Sequence, residues 1–252
     1  MTKIDSENTI SLVTGGGGGL GGTIAHTLAA SGDHVCVVDV NPDSAERVAG
    51  EIRSAGYSAS AHICDITNRA EVEALAASVQ AEIGVVDSLI NLAGVSRNAS
   101  LLKIDDSDFD LVLATHLKST LNTMRAFVPG MKEQRYGRIV NTSSIAAGGS
   151  PAGGSYGAAK GAIEGLSRSA ALELARHGIT VNCIAPGLID AGMALKTPDS
   201  FREPLVARIP MGRFGAASEI AACVRFLASA DCSYVTGQTL LACGGLSLAV
   251  LS

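Results

Sequence analysis

The chain has 252 residues, 47% hydrophobic and 17% charged, which fits one α/β domain with a large core, would also allow two small domains, and argues against disorder. A net charge of −5 with no basic run argues against a nucleic-acid partner, and no apolar run approaches the ~20 residues of a membrane span. The polar start Met1–Asn8 lacks a signal core, and the six cysteines (36, 64, 183, 223, 232 and 243) show no Cys-x-x-Cys and no metal-ligand spacing, so the expectation is a soluble, reduced, cytoplasmic protein with no metal.

The first predicted strand, Ile10–Thr14, runs into Gly15-Gly-Gly-Gly-Gly-Leu-Gly-Gly22. Leu20, Ile24 and Leu28 have helical spacing, and the helix stops at Ser31-Gly32-Asp33. A continuous apolar strand, His34–Asp39, follows, as a sheet covered on both faces requires. This strand, glycine loop, helix and strand form a βαβ unit. Glycines let the backbone approach a pyrophosphate, and the helix N-terminus offers free N–H groups. Asp39 lies about 20 residues on, where a dinucleotide-binding unit keeps its ribose acceptor.

The pattern repeats along the chain. Helices are predicted at about 43–55, 69–83, 105–130, 155–177 and 218–228, and strands at 58–63, 86–92, 138–142, 180–184 and 238–242. A loop-rich stretch spans 186–217. The alternation predicts one doubly wound parallel sheet with helices on both faces, in a single domain covering 1–252. Tyr156 and Lys160 share a helix face, and Ser143 or Ser144 ends the strand before it. A tyrosine titrates near 10, and an ammonium one turn away is expected to lower that value, equipping the pair to move a proton on or off an alcohol oxygen.

At this point the ordered motifs resemble the short-chain dehydrogenase/reductase family over nearly the whole chain. Thr14-Gly15-x-x-x-Gly19-Leu20-Gly21 is similar to its cofactor glycine motif, Asn91-Leu-Ala93-Gly94 to its Asn-Asn-Ala-Gly, and Tyr156-Gly-Ala-Ala-Lys160 to its Tyr-x-x-x-Lys. Val181-Asn-Cys-Ile-Ala-Pro186-Gly187 resembles the stretch that closes over the nicotinamide, and Asp65-Ile66 stands where the family has its adenine contact. The resemblance implies hydride transfer between a nicotinamide and a carbinol or carbonyl carbon. Tyr156 would be the general acid/base, Lys160 would lower its pKa and hold the ribose, and a serine would position the substrate oxygen.

Three departures stand out. Counting back thirteen from Tyr156 gives Ser143, whereas counting forward from the strand gives Ser144; we take Ser144 because loops absorb deletions more easily than strands. His116 replaces the asparagine that interrupts its helix in the family, freeing a main-chain carbonyl for a water that leads to the lysine. Either His116 lies on the proton path as a catalytic group and adds an ionisation near neutrality, or it packs as a neutral histidine with no kinetic role. Ala191 replaces a threonine, leaving backbone near Ile189 to meet the nicotinamide amide.

Asp39 suits two ribose hydroxyls and repels a 2′-phosphate, and the glycine loop has no Lys or Arg, so NAD is expected over NADP. By resemblance, Val95–Ser100, Ile145–Ser155 and Leu188–Phe214 line the substrate pocket. The last carries apolar Met193, Leu195, Phe201, Leu205 and Met211, and Arg202, Arg208 and Arg213, which either meet an anionic tail or face water. The leading expectation is an NAD-dependent secondary-alcohol dehydrogenase or ketone reductase. The alternatives are a 3-oxoacyl-thioester reductase and an inactive nucleotide-binding regulator. The family also implies a homodimer or homotetramer, with the helices at 105–130 and 155–177 across a two-fold axis.

Overall fold

The structure, a computed structural model, describes residues 9–191 and 199–251. Met193, Leu195 and the side chain of Phe201 lie outside what it describes. Its main sheet holds β1 (Ile10–Thr14), β2 (His34–Asp39), β3 (Ala59–Ile63), β4 (Ser88–Asn91), β5 (Gly137–Thr142) and β6 (Ile179–Pro186), with β9 (Thr239–Ala242) at one edge. The order is β3-β2-β1-β4-β5-β6-β9, all parallel. The helices are α1 (Gly19–Ala30), α2 (Pro42–Ser54), α3 (Arg69–Glu82), α4 (Asp106–Leu113), α5 (Ser119–Gln134), α6 (Gly154–Leu174), α7 (Asp199–Val206) and α8 (Ala217–Ala228). The long loop also contributes two short paired strands, β7 (Ile189–Asp190) and β8 (Gly215–Ala216).

Strand alternation makes two apolar layers. Val13, Val37, Ile90, Val140 and Ile184 pack with buried residues of α1, α2 and α8, such as Ile24, Ile52 and Val224. Leu12, Val38, Leu89, Ile139 and Val181 pack on the other side with Val72, Phe127 and Leu174 of α3, α5 and α6. Strand order reverses between β1 and β4, and a crevice opens there beyond the strand ends, the usual binding position of such sheets. No helix of the described residues is long and apolar enough to cross a membrane.

The expected helix at 105–130 differs in two ways. A π-helical turn, Ala114–Lys118, separates α4 from α5. Beyond Pro129, α5 continues to Gln134 and ends where Arg135 adopts a left-handed φ of 54°. The Tyr136 N–H then returns to the Met131 carbonyl at 3.1 Å, closing the helix end.

Candidate active site

A cavity of about 480 Å³ occupies the switch point between β1 and β4. The glycine turn forms one wall. Gly15 holds a φ of 66°, and a Cβ at Gly21 would overlap the Gly15 carbonyl oxygen, so α1 starts directly on the loop backbone. The α1 cap residue, Gly18, makes no side-chain bond, leaving first-turn N–H groups for an anion. Of the sequence-predicted cofactor residues, Gly15, Leu20, Gly21 and Asp39 line the cavity from this side, and Asp65, Ile66, Ala93 and Gly94 from the other. A cleft with a backbone-only cradle and a carboxylate at one end fits a dinucleotide.

The other predicted cofactor residues stand outside the lining. Thr14 Oγ1 accepts from the N–H groups of Leu92 at 3.1 Å and Ala93 at 3.4 Å, tying the Asn91–Gly94 turn to β1. Gly19 opens α1. The Asn91 side chain does not line the cavity. Its Nδ2 donates to Asn141 Oδ1 at 2.8 Å, its Oδ1 accepts from Thr123 Oγ1 at 2.7 Å, and Asn141 continues to Ser167 at 2.8 Å. Asn91 thus belongs to a buried brace across β4, β5 and α6. Pro186 ends β6, the Gly187 N–H binds the Ala242 carbonyl at 2.9 Å, and the Ile189 carbonyl is taken by the Ala191 N–H at 2.9 Å.

Tyr156 and Lys160 lie one turn apart on α6, with Lys160 Nζ 5.4 Å from the centre of the Tyr156 ring. The Ser144 side chain lies near enough to the phenol to pull its pKa down. Ser143 turns away: its Oγ is buried and donates to Glu164 at 2.7 Å. The two adjacent serines therefore face opposite ways, and Ser144 is the one beside Tyr156.

The expected electrostatics need correction. The Tyr156 pKa is raised, because burial outweighs the Ser144 hydrogen bond, and Lys160 does not lower it. Lys160 is itself fully buried, and its pKa falls to about 7. Its Nζ donates to the Thr142 carbonyl at 2.6 Å.

His116 packs beside Tyr156. It lies within the π-helical turn, so the helix is interrupted where the resemblance implied. Its carbonyl accepts from Thr120 Oγ1 at 2.7 Å, which takes one of its two lone pairs, while the Ser119 hydroxyl donates to the Thr115 carbonyl at 2.7 Å. The ring is buried, edge-on to Tyr156 with centroids 5.2 Å apart. It also presses on Gly94, where a Cβ would collide with it. Nε2 lies 2.7 Å from the Val95 carbonyl and must carry the proton, because a carbonyl only accepts; Nδ1 has no partner among the described residues. Burial, then the Lys160 charge, push its pKa down to about 4. It is a neutral strut under the cavity wall, without a titration near neutrality.

Sequence reasoning missed Leu111 and Thr115, which close the cavity from the α4 side, and Arg47 of α2. Arg47 Nη2 donates to the Gly17 carbonyl at 3.0 Å, so a guanidinium stands by the glycine loop although the loop contains none. Helical phase from Asp43 could have suggested it. Arg202 and Arg213 engage Asp190 at 3.1 Å and Glu219 at 2.8 Å respectively, so neither simply faces water.

A doubly wound sheet with a glycine turn at its switch point and a Ser-Tyr-Lys set on the next unit defines a nicotinamide-dependent oxidoreductase, and the chain belongs to the short-chain dehydrogenase/reductase family. Residues 16–247 match a family model described as enoyl-(acyl carrier protein) reductase. The chain is similar to the 3-oxoacyl-[acyl-carrier-protein] reductase FabG of Escherichia coli (strain K12), 36% identical over 241 residues, or 95% of this chain and 98% of that protein. FabG of Staphylococcus aureus (strain Mu50) is 39% identical over 238 residues, covering 94% and 97%. The (2S)-[(R)-hydroxy(phenyl)methyl]succinyl-CoA dehydrogenase subunit BbsD of Thauera aromatica is 36% identical over 242 residues, covering 96% and 98%.

Proposed function

We propose that this protein reduces 3-oxoacyl thioesters to 3-hydroxyacyl thioesters with NADH. The observation that carries the chemistry is the meeting of the Ser144 and Tyr156 hydroxyls, two groups suited to one substrate oxygen. Such a pair meets an oxygen that gains charge as hydride arrives, as a ketone oxygen does. The thioester follows from the names of the relatives, two acting on acyl-carrier-protein substrates and one on a CoA ester. The broader expectation of a secondary-alcohol dehydrogenase thus gives way to its thioester alternative.

When bound, the reduced nicotinamide supplies a hydride to the ketone carbon. As the oxygen gains charge, Ser144 donates a hydrogen bond and Tyr156 donates its proton, giving the alcohol. The raised pKa keeps that proton on Tyr156 at neutral pH, the state from which a reduction starts. Lys160 would hold the nicotinamide ribose. Gly15, Gly19, Leu20 and Gly21 would hold the pyrophosphate, Asp39 the adenosine ribose hydroxyls, Asp65 and Ile66 the adenine, and Ala93, Gly94, Pro186, Gly187 and Ile189 the nicotinamide. His116 positions the Gly94–Val95 wall, and Thr14 and Asn91 act through the loops they brace. We assign a single domain over 1–252, a substrate loop at about 187–217, a homodimer or homotetramer, and a cytoplasmic location consistent with six unpaired thiols.

The test is a panel of ketones assayed with NADH and with NADPH. Acetoacetyl-CoA should give a kcat/KM at least about tenfold above simple ketones, with NADH preferred. Simple ketones turning over faster than the thioester would return the protein to the broader class, and preference for NADPH would overturn the reading of Asp39.

A further inference from the structure

We infer that His34 and His62 form a two-imidazole site for a divalent transition-metal ion at the β3 edge of the main sheet, in the place that the Ser60 hydroxyl occupies. The site lies outside the residues that line the cofactor cavity and does not rest on the proposed reaction.

β3 is an edge strand, and it pairs with β2 so that Cys36 stands opposite Ser60 and Val38 opposite His62. Ser60 and His62 are next-but-one on β3 and share one face of the sheet. His34, at the start of β2, reaches the same serine from its other side. The His34 Nε2 lies 3.0 Å from Ser60 Oγ, and the His62 Nε2 lies 2.8 Å from the same oxygen. Two imidazole nitrogens from different strands thus converge on one atom. The His34 Nδ1 lies 2.7 Å from Ser58 Oγ. With its proton on Nδ1 and donated to Ser58, His34 turns a lone pair toward Ser60, which is how a metal-bound histidine is commonly oriented.

The serine has one proton and can donate to only one of the two nitrogens, so the second ring must spend its own proton on the serine. An ion takes a lone pair from each ring. Burial lowers both histidine pKa values, so both rings are neutral and able to ligate at pH 7. Glu82 of α3 acts on His62 in the sense that favours positive charge. Cys36 Sγ stands 3.8 Å from Ser60 Oγ, but burial pushes its pKa up to about 11, so it stays a thiol and is no ligand. Among the described residues no three or more His, Cys, Asp or Glu side chains converge as a metal site, so this ion would have two protein ligands and water. Metal–nitrogen bonds are about 2.0–2.1 Å, so each ring must close in by roughly 1 Å as the Ser60 side chain turns aside. Imidazole suits Ni²⁺, Cu²⁺ and Zn²⁺, and such an ion would staple the edge strand to β2.

The test is calorimetric titration with Ni²⁺ alone, for wild type, His34→Gln, His62→Gln, Ser60→Ala and His26→Gln, with 5′-ADP binding checked in each to show that it is folded. Wild type should bind Ni²⁺ with a Kd below about 1 mM, and His34→Gln and His62→Gln should each weaken it by at least about tenfold. His26, whose ring pairs with Glu51 at 3.6 Å, is the control, and His26→Gln should leave this binding unchanged. Ser60→Ala removes the group that competes for both nitrogens and should bind Ni²⁺ at least as tightly as wild type. A wild type that binds no Ni²⁺ at 1 mM overturns the inference without any variant. Wild-type affinity in either folded histidine variant would overturn it too. Loss of binding in Ser60→Ala would show that the hydroxyl is a ligand and would overturn the placement of the ion.

Discussion

His116→Asn removes a buried group whose proton affinity changes on folding. In the unfolded chain a histidine binds its proton near 6.5, whereas folded His116 does so only near 4, because burial and Lys160 disfavour the imidazolium. Between these values the unfolded chain holds more protons. The stability that His116 contributes is thus present above about pH 6.5 and is lost as pH falls toward 4. At about 1.4 kcal/mol per tenfold change in proton affinity, the loss is about 3 kcal/mol. The structure gives the atomic reason: a second ring proton would sit on Nδ1, which is buried without an acceptor. Asp33 works in the opposite sense over an overlapping range. Its pKa is pushed up to about 6, chiefly by burial, so its contribution is larger at low pH. Comparing wild type with His116→Asn cancels that term. Urea unfolding of both proteins at about pH 7, 5.5 and 4.5 should show the wild type losing stability faster on acidification. Parallel losses would refute the buried neutral imidazole.

Gly21→Ala puts a methyl group against the Gly15 carbonyl and should weaken 5′-ADP binding by at least about tenfold; unchanged affinity in calorimetry would contradict the close approach. Gly94→Ala collides with the His116 ring and should lower the melting temperature. His116→Ala in the same chain should restore part of the loss, and strictly additive effects would mean that the contact carries no energy. Ser144→Ala should lower kcat by about a hundredfold with nucleotide binding intact. Ser143→Ala should instead lose about 1 kcal/mol of stability, through its bond to Glu164, and keep its rate. The reverse outcome would exchange the two serines.

The sheet was legible because its strands are continuous apolar runs separated by amphipathic helices, and the Gly15–Gly22 turn because glycine is required where backbones touch. The Tyr156–Lys160 pairing follows from helical phase alone. The Lys160 charge was not legible, since its lowered pKa depends on complete burial, which no local pattern encodes. The interruption at 114–118 was legible only through the resemblance, since helical periodicity runs through it; its carbonyls are held by Ser119 and Thr120 hydroxyls, and its histidine is fixed by the distant Val95 carbonyl. The brace that Asn91 joins was not legible for a similar reason: its partners Asn141 and Thr123 are far away in sequence and meet it only once β4, β5 and α5 assemble. Arg47 reaches the glycine loop only through the packing of α2.

The most direct test of the account is the rate of NADH oxidation with acetoacetyl-CoA, measured for wild type and Tyr156→Phe at matched protein concentration, with NADH binding checked in the same samples. The wild type should turn over, and the variant should lose at least about a hundredfold while still binding NADH. A Tyr156→Phe protein that reduces the thioester at near wild-type rate, or a wild type that binds NADH and leaves the thioester untouched, would contradict it.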